Sequence, residues 1–285
     1  MQNYKIMKNA EFFKQQLEEK KVLIASHRGV VGGNIIENTI GSFNNALLHG
    51  ADIVETDVVN SVDGELFCYH DGYEPFHFLT AKHIYHMTAE EIRALRFTNR
   101  YFMKIDQGVQ PFEEALEFLK SKNCLINLDR RYRDFDKTLK TVRKFGMEKQ
   151  VIFKTFVEGD LLKRVADDFP DIMFMPLMGK AKEIGELEKY DLNIIGCELV
   201  FAHTDDDIVS TDSINYLKGK YGMLWANPIT CDDELIISGG KNDDISLKEG
   251  FDAGWGWLID RGFNVLQTDW PALVLNYLRE RGIRK

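Results

Sequence analysis

Short runs of β-branched and other apolar residues alternate with longer stretches of helical period along the whole chain. Eight runs stand out: KVLIAS at 21–26, ADIVETDVV at 51–59, CLINLD at 124–129, VIFKTF at 151–156, IMFMPLM at 172–178, NIIGCELVF at 193–201, GMLWANP at 222–228 and NVLQTD at 264–269. Helical period appears at 39–49, 111–122, 134–146, 158–168, 211–219 and 271–283. Eight strands, each followed by a helix, in 285 residues predict an α/β fold, a (β/α)8 TIM barrel. A doubly wound open sheet is the competing arrangement. Against it, no strand is followed by G-x-G-x-x-G; GVVGG at 29–33 lacks that spacing and reads as a flexible loop. Residues 60–110 break the rhythm, with a hairpin that turns at Asp63-Gly64 and then a polar, aromatic-rich stretch. They read as an insertion, a hairpin plus cap over the barrel mouth, within a single domain spanning 1–285. Most of YEPFHFLTAKHIYHMTAEEIRALRF is expected to pack as the cap, with Phe76 and Phe78 offered to substrate.

At 44% hydrophobic the chain can bury one large core. Its net charge of −9 argues against nucleic acid or an anionic membrane as the main partner, and leaves a small molecule. An anionic substrate would then need a locally positive site. The first 21 residues contain no apolar signal-type core, and no stretch approaches the roughly 18 apolar residues of a membrane span. A cytoplasmic protein with a leading amphipathic helix is expected. Cys68, Cys124, Cys197 and Cys231 lack C-x-x-C spacing, so zinc is unsupported and buried, reduced thiols are expected. Nothing in the sequence fixes the oligomeric state.

The polar residues cluster where the apolar runs end. Glu55 and Asp57 share a strand face, His27 follows the first run, Asp129 ends the third and Lys154 sits in the fourth. Glu198 closes NIIGC, while Trp225 and Asn227 share a face on the seventh run. Singly, such groups are too costly to bury, so they must neutralise one another or hold an ion. Glu55, Asp57 and Asp129 make a hard oxygen site suited to Mg²⁺ or Ca²⁺. The same spacing also fits a ring of salt bridges to Arg28, Arg130 or Lys154. His27 and His70, each in a short polar motif after an apolar run, suit one general base and one general acid. His49, His77, His83, His86 and His203 read as helix-end or insertion residues.

These residues resemble the glycerophosphodiester phosphodiesterases, a family of metal-dependent (β/α)8 enzymes. The shared pattern is HRG at 27–29, ENT at 37–39, ETD at 55–57 and HD at 70–71, extended by QPFEEAL at 110–116 and QTDWP at 267–271. The resemblance implies His27 and His70 as the acid–base pair, Glu55 and Asp57 as metal ligands, and Arg28 on phosphate. Glu37 and Asn38 would support the site, with Glu37 alternatively only a helix N-terminal residue. The family's usual Glu-x-Lys on the third strand is replaced by LDRR, so Asp129 stands as third ligand, as in a divergent branch. Arg131, Arg130 and Lys154 are the candidates for the missing lysine, although arginine and lysine differ in reach. The implied reaction is metal-dependent hydrolysis of a glycerophosphodiester to glycerol 3-phosphate and an alcohol, with His70 the expected acid; Trp225, from its position on the seventh run, is either a stacking surface for glycerol at the mouth or a core tryptophan. A phospholipase C/D-like lyase and a barrel that only binds ligand are the competing functions.

Overall fold

The computed structural model describes residues 8–129 and 134–285. Its strands in chain order are β1 (Leu23–Ser26), β2 (Ile53–Asn60), β3 (Leu66–Cys68), β4 (Gln110–Pro111), β5 (Leu125–Asp129), β6 (Val151–Phe156), β7 (Met173–Met178), β8 (Cys197–Leu199), β9 (Leu224–Ala226) and β10 (Val265–Thr268). Eight of them form a closed parallel barrel in the order β1-β2-β5-β6-β7-β8-β9-β10. Closure comes from β1, which pairs with β10 at Leu23↔Val265 and with β2 at Ala25↔Ile53. Each expected apolar run contains one barrel strand. Parallel strands covered on both faces need apolar residues on both, which is why LIAS of β1 is buried throughout.

Helices Ile40–Leu48, Phe112–Lys120, Phe135–Phe145, Gly159–Asp168, Thr211–Tyr221 and Pro271–Glu280 ring the barrel where helical period placed them. Between β9 and β10 the chain also forms helices Asp243–Glu249 and Trp255–Arg261, which were not expected. Each has seven residues, too few for a period to register against the surrounding glycine and aspartate. The leading helix, Glu11–Lys20, closes the N-terminal end of the barrel, where Ala10 and Phe13 pack on Leu23, Ile53, Met173 and Met223.

Past the barrel rim β2 continues into an antiparallel annex, Val58↔Cys68 and then Phe67↔Pro111. The cap that follows has its own core, including Tyr69, Phe78, Ile84, Met87, Ile92 and Phe97. Phe78 is therefore structural, contrary to expectation, while Phe76 is 61% exposed. The four-residue helix Glu74–His77 ends between them and turns the two rings to opposite sides. Cys68, Cys124 and Cys197 are buried thiols, but Cys231 lies exposed.

Candidate active site

The barrel's C-terminal mouth is built by residues two apart on the inward faces. Register sets Glu55 beside Asn127 and Asp57 beside Asp129 across β2 and β5. One carboxylate oxygen from each of Glu55, Asp57 and Asp129 lies within 4.8 Å of the others. Burial pushes the Glu55 carboxyl up to about 8, with Asp57 and Asp129 adding repulsion that His27 and Lys154 only partly offset. Glu55 accepts the Arg28 backbone N–H at 2.9 Å, and among the described residues no lysine or arginine side chain pairs with it. Three hard oxygen donors with such an excess of buried negative charge fit a divalent cation.

Asp57 and Asp129 do have ionic partners, so elements of the salt-bridge arrangement are present as well. Arg28 Nε lies 3.2 Å from Asp57 Oδ2, and Arg28 Nη1 donates to Glu37 Oε1 at 3.1 Å. Lys154 Nζ, almost fully buried, sits 3.0 Å from Asp129 Oδ2 and 3.1 Å from Glu198 Oε2. A chain of donors fixes Glu198 in turn: Asn227 Nδ2 donates to it at 2.8 Å, and Trp225 Nε1 donates to Asn227 Oδ1 at 2.9 Å. Lys154 thus arrives from the strand next to Asp129, the geometry that a shorter carboxylate on β5 permits. Arg130 and Arg131 lie outside the described residues.

Trp225 does not reach the mouth. It is fully buried in the lower barrel among Met173, Met175, Met223 and Val265, which removes it as a glycerol contact. A period of two gives the face of a strand residue but not its depth in the barrel.

The loop after β1 is clamped at its base. Arg28 has φ +54° and Asn38 φ +56°, both left-handed, and the Asn38 N–H donates to the Arg28 carbonyl at 2.9 Å. Left-handed conformations at such residues cost roughly 1–2 kcal/mol each, and side-chain hydrogen bonds offset this at Asn38. Its Oδ1 accepts from Thr56 Oγ1 at 2.8 Å and from the Asp57 N–H at 3.1 Å, while Nδ2 donates to Asp57 Oδ2 at 2.9 Å. Gly29 has φ +83°, and a Cβ there would lie 2.5 Å from Ser42 Oγ, so only glycine fits. Thr39 caps the next helix through a capping box with Ser42. Glu37 accordingly lies outside the helix and serves Arg28, not the helix N-terminus.

The two histidines are held differently. His27 Nδ1 donates to Asp269 Oδ1 at 3.0 Å. Burial alone would lower its pKa, but the Asp269 hydrogen bond and the Glu55 charge outweigh it and the net direction is upward. Asp269 is positioned by Asp243, which accepts from the Asp269 N–H at 3.0 Å, Thr268 Oγ1 at 2.9 Å and Trp255 Nε1 at 2.7 Å. Asp269 was missed as a site residue although it sits within QTDWP; its partner lies 242 positions away. His70 Nδ1 donates to the Asp71 carbonyl at 2.9 Å. Its ring packs edge-on to Tyr73 at 5.0 Å, and Tyr73 also stacks on His77 at 5.7 Å and has the Arg28 guanidinium 5.4 Å from its ring centre. His27, Arg28, Tyr73 and Asp269 line a cavity of about 650 Å³, which His49 also borders from the end of its helix.

A barrel whose mouth combines three converging carboxylates with two anchored imidazoles and a guanidinium defines a class: a (β/α)8 barrel with a polar, acidic site at the C-terminal ends of its strands. Residues 27–203 match the Glycerophosphoryl diester phosphodiesterase family, and the chain belongs to that family. Residues 174–278 also match a domain of unknown function. A glycerophosphodiester phosphodiesterase of Caldanaerobacter subterraneus is 29% identical over 143 residues, covering 48% of this chain and 58% of that protein. The chain thus spans less than two thirds of the curated relatives it matches. Among solved structures, a glycerophosphoryl diester phosphodiesterase of Parabacteroides distasonis has a TM-score of 0.74 at 18% identity, covering 91% of this chain and 87% of that one. An Oleispira antarctica phosphodiesterase, solved with its product sn-glycerol-3-phosphate, has a TM-score of 0.66 at 18% identity, covering 90% and 96%. These likenesses bear out the barrel.

Proposed function

We propose that the protein hydrolyses glycerophosphodiesters to glycerol 3-phosphate and an alcohol, with Mg²⁺ or Ca²⁺ held by Glu55, Asp57 and Asp129. The observation that carries this reading is the buried Glu55 carboxylate, which has two carboxylates beside it and no side-chain cation of its own among the described residues. When bound, the cation supplies charge stabilisation to a non-bridging phosphate oxygen. The protein's own residues do the rest. Arg28 meets the phosphate, aided by Lys154, and both are held in place by carboxylates that fix their side chains. Asp269 and the Asp71 carbonyl each accept from a histidine Nδ1, which fixes the orientation of the His27 and His70 rings for proton transfer. One imidazole takes the proton of the nucleophile and the other gives one to the departing alkoxide. Asn38 and Glu37 support Asp57 and Arg28. The four unbridged cysteines, Cys231 exposed among them, fit a reducing, cytoplasmic setting, and the proposed substrate would put the reaction within lipid breakdown.

The test is glycerol 3-phosphate release from a panel of soluble glycerophosphodiesters, using chelator-treated protein resupplied with Mg²⁺ or Ca²⁺, beside His70→Ala. Release that returns with metal and is lost in the variant is expected. A cyclic phosphate product would reassign the chain as a lyase. No turnover with any metal or alcohol, despite ligand binding, would leave a binding barrel.

A further inference from the structure

Asn127 stands between Leu125 and Asp129 on the inward face of β5, and none of its surface reaches solvent. Neither its Oδ1 nor its Nδ2 has a hydrogen-bond partner among the described residues. Burying a carboxamide without partners costs free energy that a leucine of similar shape would not, so an unpaired amide in a core marks a place where something other than the fold answers it. Stability alone gives no reason for it.

Register narrows what can answer. Asn127 is paired with Glu55 on one side and with Ile152 on the other, neighbouring strands lying about 4.8 Å apart. Ile152 offers no polar side-chain atom, and Leu125, one pleat below, belongs to the dry core of the closed end. One pleat above is Asp129, whose carboxylate converges with those of Glu55 and Asp57. Lys154, diagonal to Asn127 across β6, is engaged by Asp129 and Glu198. Of these neighbours, only the carboxylates and whatever they hold can meet the amide. Its N–H suits a carboxylate, and its oxygen is a hard, neutral donor of the kind that joins carboxylates around Mg²⁺ or Ca²⁺.

We infer that Asn127 is a positioning residue of the cation site, its Nδ2 holding the Glu55 carboxylate and its Oδ1 turned to the cation or to a water on it. This rests on the reading of Glu55, Asp57 and Asp129 as cation ligands and adds a residue to that set. Thr155 gives the contrast within the same barrel. Its Oγ1 is likewise buried without a partner, but it faces outward among Phe135, Leu161, Val165 and Phe169, away from the carboxylates.

Titration calorimetry with Mg²⁺ and with Ca²⁺ on chelator-treated protein, together with melting in the absence of metal, tests this on wild type, Asn127→Leu and Thr155→Val. Asn127→Leu should weaken the better-bound ion about 10–100-fold. Its metal-free melting temperature should hold or rise, because an unpaired amide has been removed. Thr155→Val should leave metal affinity unchanged. Should the leucine variant not fold, Asn127→Ala carries the same expectation for affinity, judged against Leu125→Ala, which opens a cavity one pleat below and should leave affinity alone. Unchanged affinity in the Asn127 variant overturns the inference and leaves the cation reading intact. A loss of affinity that Thr155→Val or Leu125→Ala shares is distortion of the barrel, and overturns it as well. Wild-type protein that takes up neither ion sinks the cation reading itself.

Discussion

The two ends of the barrel are made by the same strands and share almost no chemistry. On β2 the inward residues run from Ile53 to Glu55 and Asp57; on β5 from Leu125 to Asn127 and Asp129; on β6 from Ile152 to Lys154. The closed end is sealed by Phe13 and by Met173 and Met223, all within 2% of full burial. At the mouth the same faces carry ions. One pleat repeat, roughly 7 Å of strand, separates a dry core from an ionic site. The lesson is that this fold assigns stability and chemistry to successive layers of one surface, so either can be altered with limited effect on the other.

Metal removal should give the largest effect. Chelation is expected to take diester hydrolysis to background, and calorimetric melting should fall as well, because Glu55, Asp57 and Asp129 are then left to repel one another. A metal-free protein that keeps full turnover would erase the contrast between the ends. Next, His27→Ala and His70→Ala should each lower kcat/KM by about 10²–10⁴ with little change in melting temperature. Met173→Ala, beside Ile152 at the closed end, should do the reverse. It should cost about 2–5 kcal/mol in denaturant unfolding and leave kcat per folded molecule unchanged.

The smallest expected effect concerns pH. Burial pushes Asp243 up to about 7 against hydrogen bonds from the Asp269 N–H and Trp255. Because its folded pKa lies above the unfolded value, its protonated form supports the fold below about pH 4, and that support is lost as pH rises through 7. Asp243→Asn should therefore flatten the decline in stability between these limits, worth on the order of a few kcal/mol at most. Parallel pH curves for variant and wild type would show that Asp243 ionises normally.

The eight barrel strands were legible because strands buried on both faces must be apolar without interruption, and the HRG, ENT, ETD and HD clusters mark the ends of the first two and the loops after them. What the sequence concealed was contact across the fold. Asp269 meets His27 only because β10 closes against β1. Lys154 meets Asp129 because β6 follows β5 around the barrel, and the sequence offered it only as one of three cations. Trp225 was placed a layer too high, since depth depends on the stagger between strands, and Phe78 faces the cap core where its neighbour Phe76 does not.

The segment between Arg28 and Asn38 is closed at its base by the hydrogen bond from the Asn38 N–H to the Arg28 carbonyl, and the residues that close it also hold Glu55 and Asp57. Val30 and Ile36 are tied down by Ser42, Asn45 and the cap core, so the span from Val31 to Ile35 between them can be treated as an exchangeable cassette. Grafting that stretch from a relative would transplant one wall of the mouth cavity while the carboxylate-bearing strand β2 stays in register. Within such a scaffold, new substrate preferences could arise by loop replacement, with no prior change in the chemistry beneath.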